Sequence, residues 1–312
     1  MDEIDLPVDR RRDLAARAAW LWYIKNDTQE TIARSLGLSR AAVQRLVAQA
    51  LSERLVSVRI DHPIAACMRL GAELEQIYGA DSVDVVPDAG GRALGHAAAE
   101  RLGRVLASKV PTVVAVGAGR AVRAAVMELP AIERPQHQII GMVGSIARDG
   151  SSNPYEGVVR LADRIGAQRW PMPVPLIVDR TDERILWQSQ RLWTILSSLA
   201  ERAALGITGI GHIGARASLV LDGFIDTVEM ADLAAKGAVA ELAGFAYDGD
   251  GHLLDHPHNG KVTSLPLPRP HPILSVAAGP AKVEAIRAVL RGKLVNRLVT
   301  DETTARLLCE SA

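Results

Sequence analysis

Residues 28–60 read TQETIARSLGLSRAAVQRLVAQALSERLVSVRI, and this stretch predicts two short helices followed by a strand at residues 55–60. Thr28 can cap the first helix, and Gly37 can end it in a tight turn. Ser39 can cap the second helix, whose apolar residues recur at i, i+3, i+4 and i+8. These inward positions are Val43, Leu46, Val47 and Leu51. The pattern predicts a helix-turn-helix, and the strand would make it a winged one.

The outward face of the second helix is short and polar, as in an element that enters the major groove of double-stranded DNA. Arg can pair there with guanine and Gln with adenine. The candidate DNA-contacting residues are Thr28, Gln29, Ser39, Arg40, Ala41, Gln44 and Arg45. Two other interpretations stay open: core packing in an α-helical domain, and a sigma-like module that binds a protein partner.

Composition indicates a small module joined to a larger α/β domain. The chain has 312 residues, of which 48% are apolar and only 4% aromatic, so the core must be built mainly from Ala, Val, Leu and Ile. Cys67 and Cys309 are too few and too far apart for a disulfide framework or a zinc site. No signal peptide and no apolar run long enough to cross a membrane are apparent, so we expect a cytoplasmic protein without a membrane partner.

The sequence Asp61-His62-Pro63 interrupts the helical pattern, and we place the domain boundary there, between residues 1–61 and 62–312. From Ser82 onward, short β-branched runs alternate with Ala-rich helical stretches, including one long helix near residues 183–202. This alternation predicts a doubly wound, mostly parallel sheet covered by helices.

Three Gly-rich turns follow predicted strands, where parallel sheets bind ligands. They contain Gly117, Ala118, Gly119 and Arg120 in the first, Gly144 and Ser145 in the second, and residues 209–211 in the third. Lys282 stands in the first turn of a later helix. Since GAGRAV lacks the third glycine of a dinucleotide fingerprint and no acidic residue follows on the next strand, a nicotinamide site is not expected. Together the turns suggest a phosphosugar pocket.

Residues 248–260, DGDGHLLDHPHNG, gather aspartates and histidines but lack the ligand order of a calcium loop or a helical i, i+4 pair of histidines. We therefore predict neither a metal nor a cofactor. Asp248 can accept hydrogen bonds from sugar hydroxyls, or form an Asx turn beside Gly249. No Ser/His/Asp order or GxSxG elbow supports hydrolysis.

Along nearly its whole length the chain resembles the SorC family of bacterial sugar-responsive transcriptional regulators. The resemblance is carried by residues 28–60 and by five later runs. These are VAVGAGRAV (114–122), IIGMVGSI (139–146), GITGIGHIG (206–214), GAVAELAGFAYDGDG (237–251) and AAGPAKVEAIRAVLRGKLVNRLVTDETTARLL (277–308).

The resemblance implies an effector domain of sugar-phosphate isomerase or deaminase type, retained for binding without catalysis, in a homotetramer or dimer. It implies control by a sugar phosphate or polyol. We expect a repressor that the effector releases, although activation is compatible with the same sequence. The effector residues would be Gly117, Ala118, Gly119, Arg120, Gly144, Ser145, Asp248 and Lys282. Ala118 and Ala121 stand where relatives usually have Trp and Thr, so we expect an effector that is larger or differently held. The alternative is an active sugar-phosphate isomerase or deaminase with an appended helical domain.

Overall fold

The structure is a computed structural model that describes residues 8–56, 64–88, 91–147, 149–151 and 157–310. Contacts between residues divide the chain into two units, Met1–Asp61 and His62–Ala312. Among the described residues, no helix combines the length and apolar character that crossing a bilayer requires.

In its described part, residues 8–56, the first unit consists of three helices. They are α1 (Val8–Tyr23), α2 (Gln29–Leu36) and α3 (Arg40–Ser52). Ile32 of α2 and Leu46 of α3 are fully buried against alanines of α1, whose small side chains let the helices approach closely. Leu51 was predicted on the inward side but is 40% exposed, whereas Ala50 is buried. The reason is helical periodicity, because position i+7 returns to the buried face and i+8 lies past it.

The predicted caps of α2 and α3 and the glycine at the end of α2 are present in the structure. Thr28 Oγ1 accepts a hydrogen bond from Thr31 N–H at 3.2 Å, and Ser39 Oγ accepts one from Ala42 N–H at 3.2 Å. Gly37 ends α2 with φ +68°, a left-handed conformation that favours glycine. Of the predicted strand, Leu55 and Val56 form a bend against the core, and residues 57–60 lie outside the described residues.

The second unit is built from ten strands and eleven helices in its described residues. The strands are β1 (Ser82–Val86), β2 (Val113–Val116), β3 (Gln138–Gly141), β4 (Gln168–Trp170), β5 (Ala203–Gly209), β6 (Gly211–His212), β7 (Ala240–Leu242), β8 (Phe245–Tyr247), β9 (Ile273–Val276) and β10 (Arg297–Asp301). The helices are α4 (Ile64–Tyr78), α5 (Gly91–Leu106), α6 (Arg120–Glu128), α7 (Gly157–Ile165), α8 (Thr181–Gln188), α9 (Arg191–Glu201), α10 (Ser218–Leu221), α11 (Thr227–Ala235), α12 (Pro257–Lys261), α13 (Val283–Arg291) and α14 (Glu302–Glu310). A 3₁₀ turn, Pro280–Lys282, precedes α13.

Seven strands form a parallel sheet in the order β1-β10-β9-β5-β2-β3-β4, and β6, β7 and β8 form a small antiparallel sheet. Successive side chains of β2 enter different cores. Val114 and Val116 pack in the cluster formed with α5, α6 and α7, while Ala115 packs in the cluster formed with α4, α9, α13 and α14. Helices thus cover both faces, which confirms the predicted doubly wound α/β fold.

The predicted long helix near residues 183–202 is wrong, because α8 and α9 are separate helices. Ser189 Oγ and Gln190 Nε2 both donate to Leu186 O, at 2.8 and 3.1 Å. Such local side-chain bonds compete with continuation of the helix. Gln190 adopts an extended backbone and is the N-cap of α9.

The strand order reverses beside β2. From β2 the chain continues to β3 and β4 on one side, whereas β5, on the other side of β2, leads to β9 and β10. The loops after β2 and β5 therefore diverge. A crevice opens between them, at the point where ligands bind in open α/β sheets.

Candidate functional site

A pocket with about 660 Å³ of space, part of it open to solvent, lies in this crevice, at the carboxyl ends of β2, β5 and β9. The turn after β2 contributes Ala118, Gly119 and Arg120, and Lys282 enters from the 3₁₀ turn before α13. The structure thus brings together four of the eight residues that the sequence proposed for the effector.

The turn after β2 needs its glycines for two reasons. Gly117 packs so closely that an added Cβ would lie 2.5 Å from Thr208 Oγ1. Gly119, just before α6, has φ +128° and ψ 155°, a conformation essentially restricted to glycine. No side chain caps α6 at Gly119, so the first N–H groups of the helix face the pocket without an intrahelical acceptor. Arg120 reaches Ser218 Oγ with its Nη2 at 3.4 Å.

Lys282 and Glu241 place an amino group and a carboxyl group on the pocket wall. Lys282 Nζ donates to Ile210 O at 2.7 Å. Burial lowers the pKa of Lys282, Glu241 acts in the opposite direction, and Arg120 lowers that pKa further. Burial raises the pKa of Glu241. The pair can donate to and accept from a polar ligand.

Glu241 was missed by sequence reasoning, because a single acidic residue in AVAELAG carries no spacing signal. The antiparallel sheet exposes it to the pocket, since Glu241 on β7 pairs with Gly211 on β6. A Cβ at Gly211 would overlap the Glu241 carboxylate. The glycine in the turn after β5 therefore makes room for this carboxylate.

A chain of hydrogen bonds holds Glu241 in place. Its Oε1 accepts from Gly244 N–H at 2.6 Å, and Gly244 O faces His258 Nε2 at 2.8 Å. His258 is fully buried, and its Nδ1 lies 3.0 Å from Glu229 Oε1. Both ring nitrogens of His258 thus lie within hydrogen-bond distance of an oxygen acceptor. Lys261 Nζ adds a bond of 3.1 Å to the same Glu229 oxygen.

His212 lies on β6, near the positive side of the pocket. Its pKa is lowered, first by burial and then by the charges of Lys282, Arg120 and Arg216. These cations, together with the N-terminus of α6, make this side of the pocket suited to an anion.

The other four predicted effector residues, all of them described, do not line the pocket. Gly117 lies behind the wall. A Cβ on Gly144 would meet Leu176 Cα at 2.7 Å, and Ser145 Oγ donates to Met172 O at 2.8 Å. Asp248 Oδ1 accepts from the N–H groups of Asp250 and His252, the turn that the sequence left open as an alternative. A role for these four in effector contact stays a prediction.

The acidic and histidine-rich segment after β8 is used in local contacts. His256 Nε2 lies 2.8 Å from Asp232 Oδ2, and His258 bonds Glu229 as described. Within the described part of the chain, no three His, Cys, Asp or Glu side chains are grouped so as to hold a metal ion.

In the first unit, the predicted DNA-contacting residues gather around the start of α3. Arg40, Ala41, Gln44 and Arg45 are all exposed, as are the two capping residues Thr28 and Ser39. Gln29, at the start of α2, is half-buried and accepts from Arg40 Nε at 3.3 Å. This bond couples the beginnings of the two helices.

Comparison with known proteins identifies the family. A family model for a sugar-binding domain, Sugar-bind, matches residues 62–310. The chain is 34% identical over 307 residues to the erythritol catabolism regulatory protein EryD of Brucella abortus, covering 96% of this chain and 97% of that protein. It is 30% identical over 310 residues to the transcriptional regulator LsrR of Klebsiella pneumoniae, covering 94% and 92%.

The structural comparison agrees with the sequence matches. The crystal structure of the full-length sorbitol operon regulator SorC from Klebsiella pneumoniae superposes with a TM-score of 0.73 over 96% of this chain and 99% of that one. At 24% identity this likeness shows the fold. The matched domain and the extent of the sequence identity carry the remaining conclusion: the chain belongs to the SorC-type family of sugar-binding transcriptional regulators.

Proposed function

We propose that this protein is a DNA-binding transcriptional regulator of a carbohydrate or polyol catabolic operon, and that an effector in the pocket between β2 and β5 controls its affinity for the operator. In this proposal residues 1–61 bind DNA, and residues 62–312 bind the effector and hold a dimer or tetramer together. The observation that carries it is the pocket with Arg120, Lys282 and the α6 N-terminus. The exposed start of α3 supports the DNA half.

The pocket favours a polyol or sugar that carries an anionic group. Arg120 and the first N–H groups of α6 offer donors to a phosphate, while Glu241 and Lys282 offer an acceptor and a donor to hydroxyls. The names of the relatives EryD and SorC refer to erythritol catabolism and a sorbitol operon. Erythritol, sorbitol and their phosphates are therefore the first compounds to test.

Regulation requires that the effector bind two arrangements of the oligomer with different affinity. We propose a cytoplasmic repressor whose operator complex is released by the effector. An effector that stabilises the operator-bound arrangement would make the same protein an activator, and a gel shift with and without effector distinguishes the two.

The DNA half is tested with Gln44→Ala and Arg45→Ala. Each lost base contact should reduce discrimination between operator and random DNA by about 1–3 kcal/mol. Arg17→Ala is the matched control, because Arg17 is an exposed arginine of α1 outside the α2–α3 turn. Equal discrimination by wild type and both variants would reject α3 as the reading helix.

The effector half is tested by thermal shift with free and phosphorylated polyols. A ligand at 100 times its dissociation constant adds about 2.7 kcal/mol of stability. Lys282→Met should abolish the shift, whereas Lys236→Ala should not, because Lys236 is exposed at the end of α11 and outside the pocket lining. Turnover of the bound compound in a coupled assay would favour the isomerase or deaminase alternative, for which Glu241 would be the candidate base.

A further inference from the structure

Helices α8 and α9 expose five large apolar side chains to solvent. They are Ile185 and Leu186 (63% exposed each), Trp187 (36%), Leu192 (38%) and Ile195 (39%). None of the eight residues of α8 is buried. A helix this short is not stable in water by itself and normally depends on burial of one face. α8 packs on α12 and α9, and these contacts leave Ile185 and Leu186 open, so a second surface that covers them would stabilise the helix.

An apolar groove lies directly beside these side chains. It has about 500 Å³ of space, part of it open to solvent, and is lined by six apolar residues and one polar residue: Met172, Val174, Trp187, Leu192, Trp193, Leu196 and Gln190. The projecting side chains of α8 and this groove together are called the α8–α9 face. It contains both a protrusion and a depression that fits aliphatic side chains.

We propose that the α8–α9 face is the interface at which two copies of this chain pair about a two-fold axis, each inserting Ile185 and Leu186 into the groove of the other. A two-fold contact uses the same patch on both subunits, so one patch must supply both protrusion and groove. The inference rests on the oligomer in the proposed function and names the surface that holds it together.

The exposed area fits this occupant. With about 200 Å² for each large side chain, the exposed fractions amount to on the order of 500 Å² of apolar surface. That is close to the largest patch found on typical monomers and more than half of the roughly 800 Å² that each partner buries in a standard interface. The groove and the polar rim can supply the remainder.

The charges at the two ends of the segment are also complementary. Asp182 and Glu183 stand at the start of α8, where both pair with Arg180, and Arg191 stands at the start of α9. Among the described residues, no ion-pair partner of Arg191 is found, and its side chain is exposed. A two-fold axis near Leu186 and Trp187 would bring Arg191 of one copy to Asp182 of the other. Arg191 would share Asp182 with Arg180. Opposite charges then meet at both rims of the interface.

The test is sedimentation velocity of the full chain over a concentration series. Leu186→Glu should raise the dimer dissociation constant at least a hundredfold, while Met127→Glu should leave it unchanged. Met127 is the matched control because it is 52% exposed on helix α6, which packs in the other core of the sheet. Arg191→Asp should weaken the dimer, and Arg191→Asp combined with Asp182→Arg should restore it, which loss of helix stability alone cannot produce.

Two outcomes would contradict the proposed interface, and a third would support it. A Leu186→Glu variant that dimerises like wild type would show that the copies pair elsewhere, and effector binding would be untouched by that result. Strong protection of α8 from hydrogen exchange in a wild-type monomer would mean that the N-terminal unit covers the face instead. A variant that is monomeric yet still gives the effector thermal shift supports the interface and separates it from the pocket.

Discussion

The change Glu229→Gln examines the buried hydrogen-bond chain behind the effector pocket. The Glu229 side chain is only 19% exposed and meets His258 at 3.0 Å and Lys261 at 3.1 Å. Its bond to His258 is the main reason why the pKa of Glu229 falls from 4.5 to about 2. That difference corresponds to about 3 kcal/mol of stability when the carboxylate is charged in both states.

The pH dependence follows from the lowered pKa. The stabilisation is complete above pH 4.5 and is lost as the pH falls from 4.5 towards 2, because the unfolded chain then binds the proton first. Glutamine has the same shape but no charge. Glu229→Gln should therefore lower the free energy of unfolding by about 3 kcal/mol at pH 7. At pH 4 the difference in unfolding free energy between variant and wild type should be smaller by about 1 kcal/mol.

Urea unfolding followed by tryptophan fluorescence at pH 7, 5 and 4 measures both quantities. The control is Glu128→Gln, because Glu128 pairs at 3.2 Å with Arg92, whose side chain is 87% exposed. An exposed pair of this kind contributes little, so no measurable change is expected. Two results would refute a stabilising role for the Glu229 carboxylate. One is an unfolding free energy of Glu229→Gln within about 1 kcal/mol of wild type at pH 7. The other is a difference in unfolding free energy that does not change with pH.

Three further changes test the local geometry. Ser39→Ala removes the cap of α3 and should lower the stability of the N-terminal unit by about 1 kcal/mol in thermal unfolding. Gly119→Ala strains the turn before α6, because φ +128° is unfavourable for alanine, and should cost about 1–3 kcal/mol of unfolding free energy. Gly211→Ala places a Cβ where the Glu241 carboxylate lies and should weaken effector binding in calorimetry, with unchanged operator affinity in the absence of effector.

Local patterns in the sequence were sufficient for the helix-turn-helix. Thr28, Gly37 and Ser39 act through hydrogen bonds and backbone preferences that span at most four positions, so their roles follow from spacing alone. The β-branched runs likewise predicted the parallel sheet, because a strand buried on both faces must be apolar throughout. The boundary of α8 depended on Ser189 and Gln190 bonding back to one carbonyl, a choice that periodicity does not contain.

Only the tertiary structure decided which residues line the effector pocket. Arg120 and Lys282 are 162 positions apart in sequence, and they line one pocket because the strand order reverses between β2 and β5. Glu241 joins them through an antiparallel pairing with Gly211, which leaves no periodic signal in either segment. A sequence carries short-range preferences in its spacing, whereas a binding site depends on which distant segments pack together.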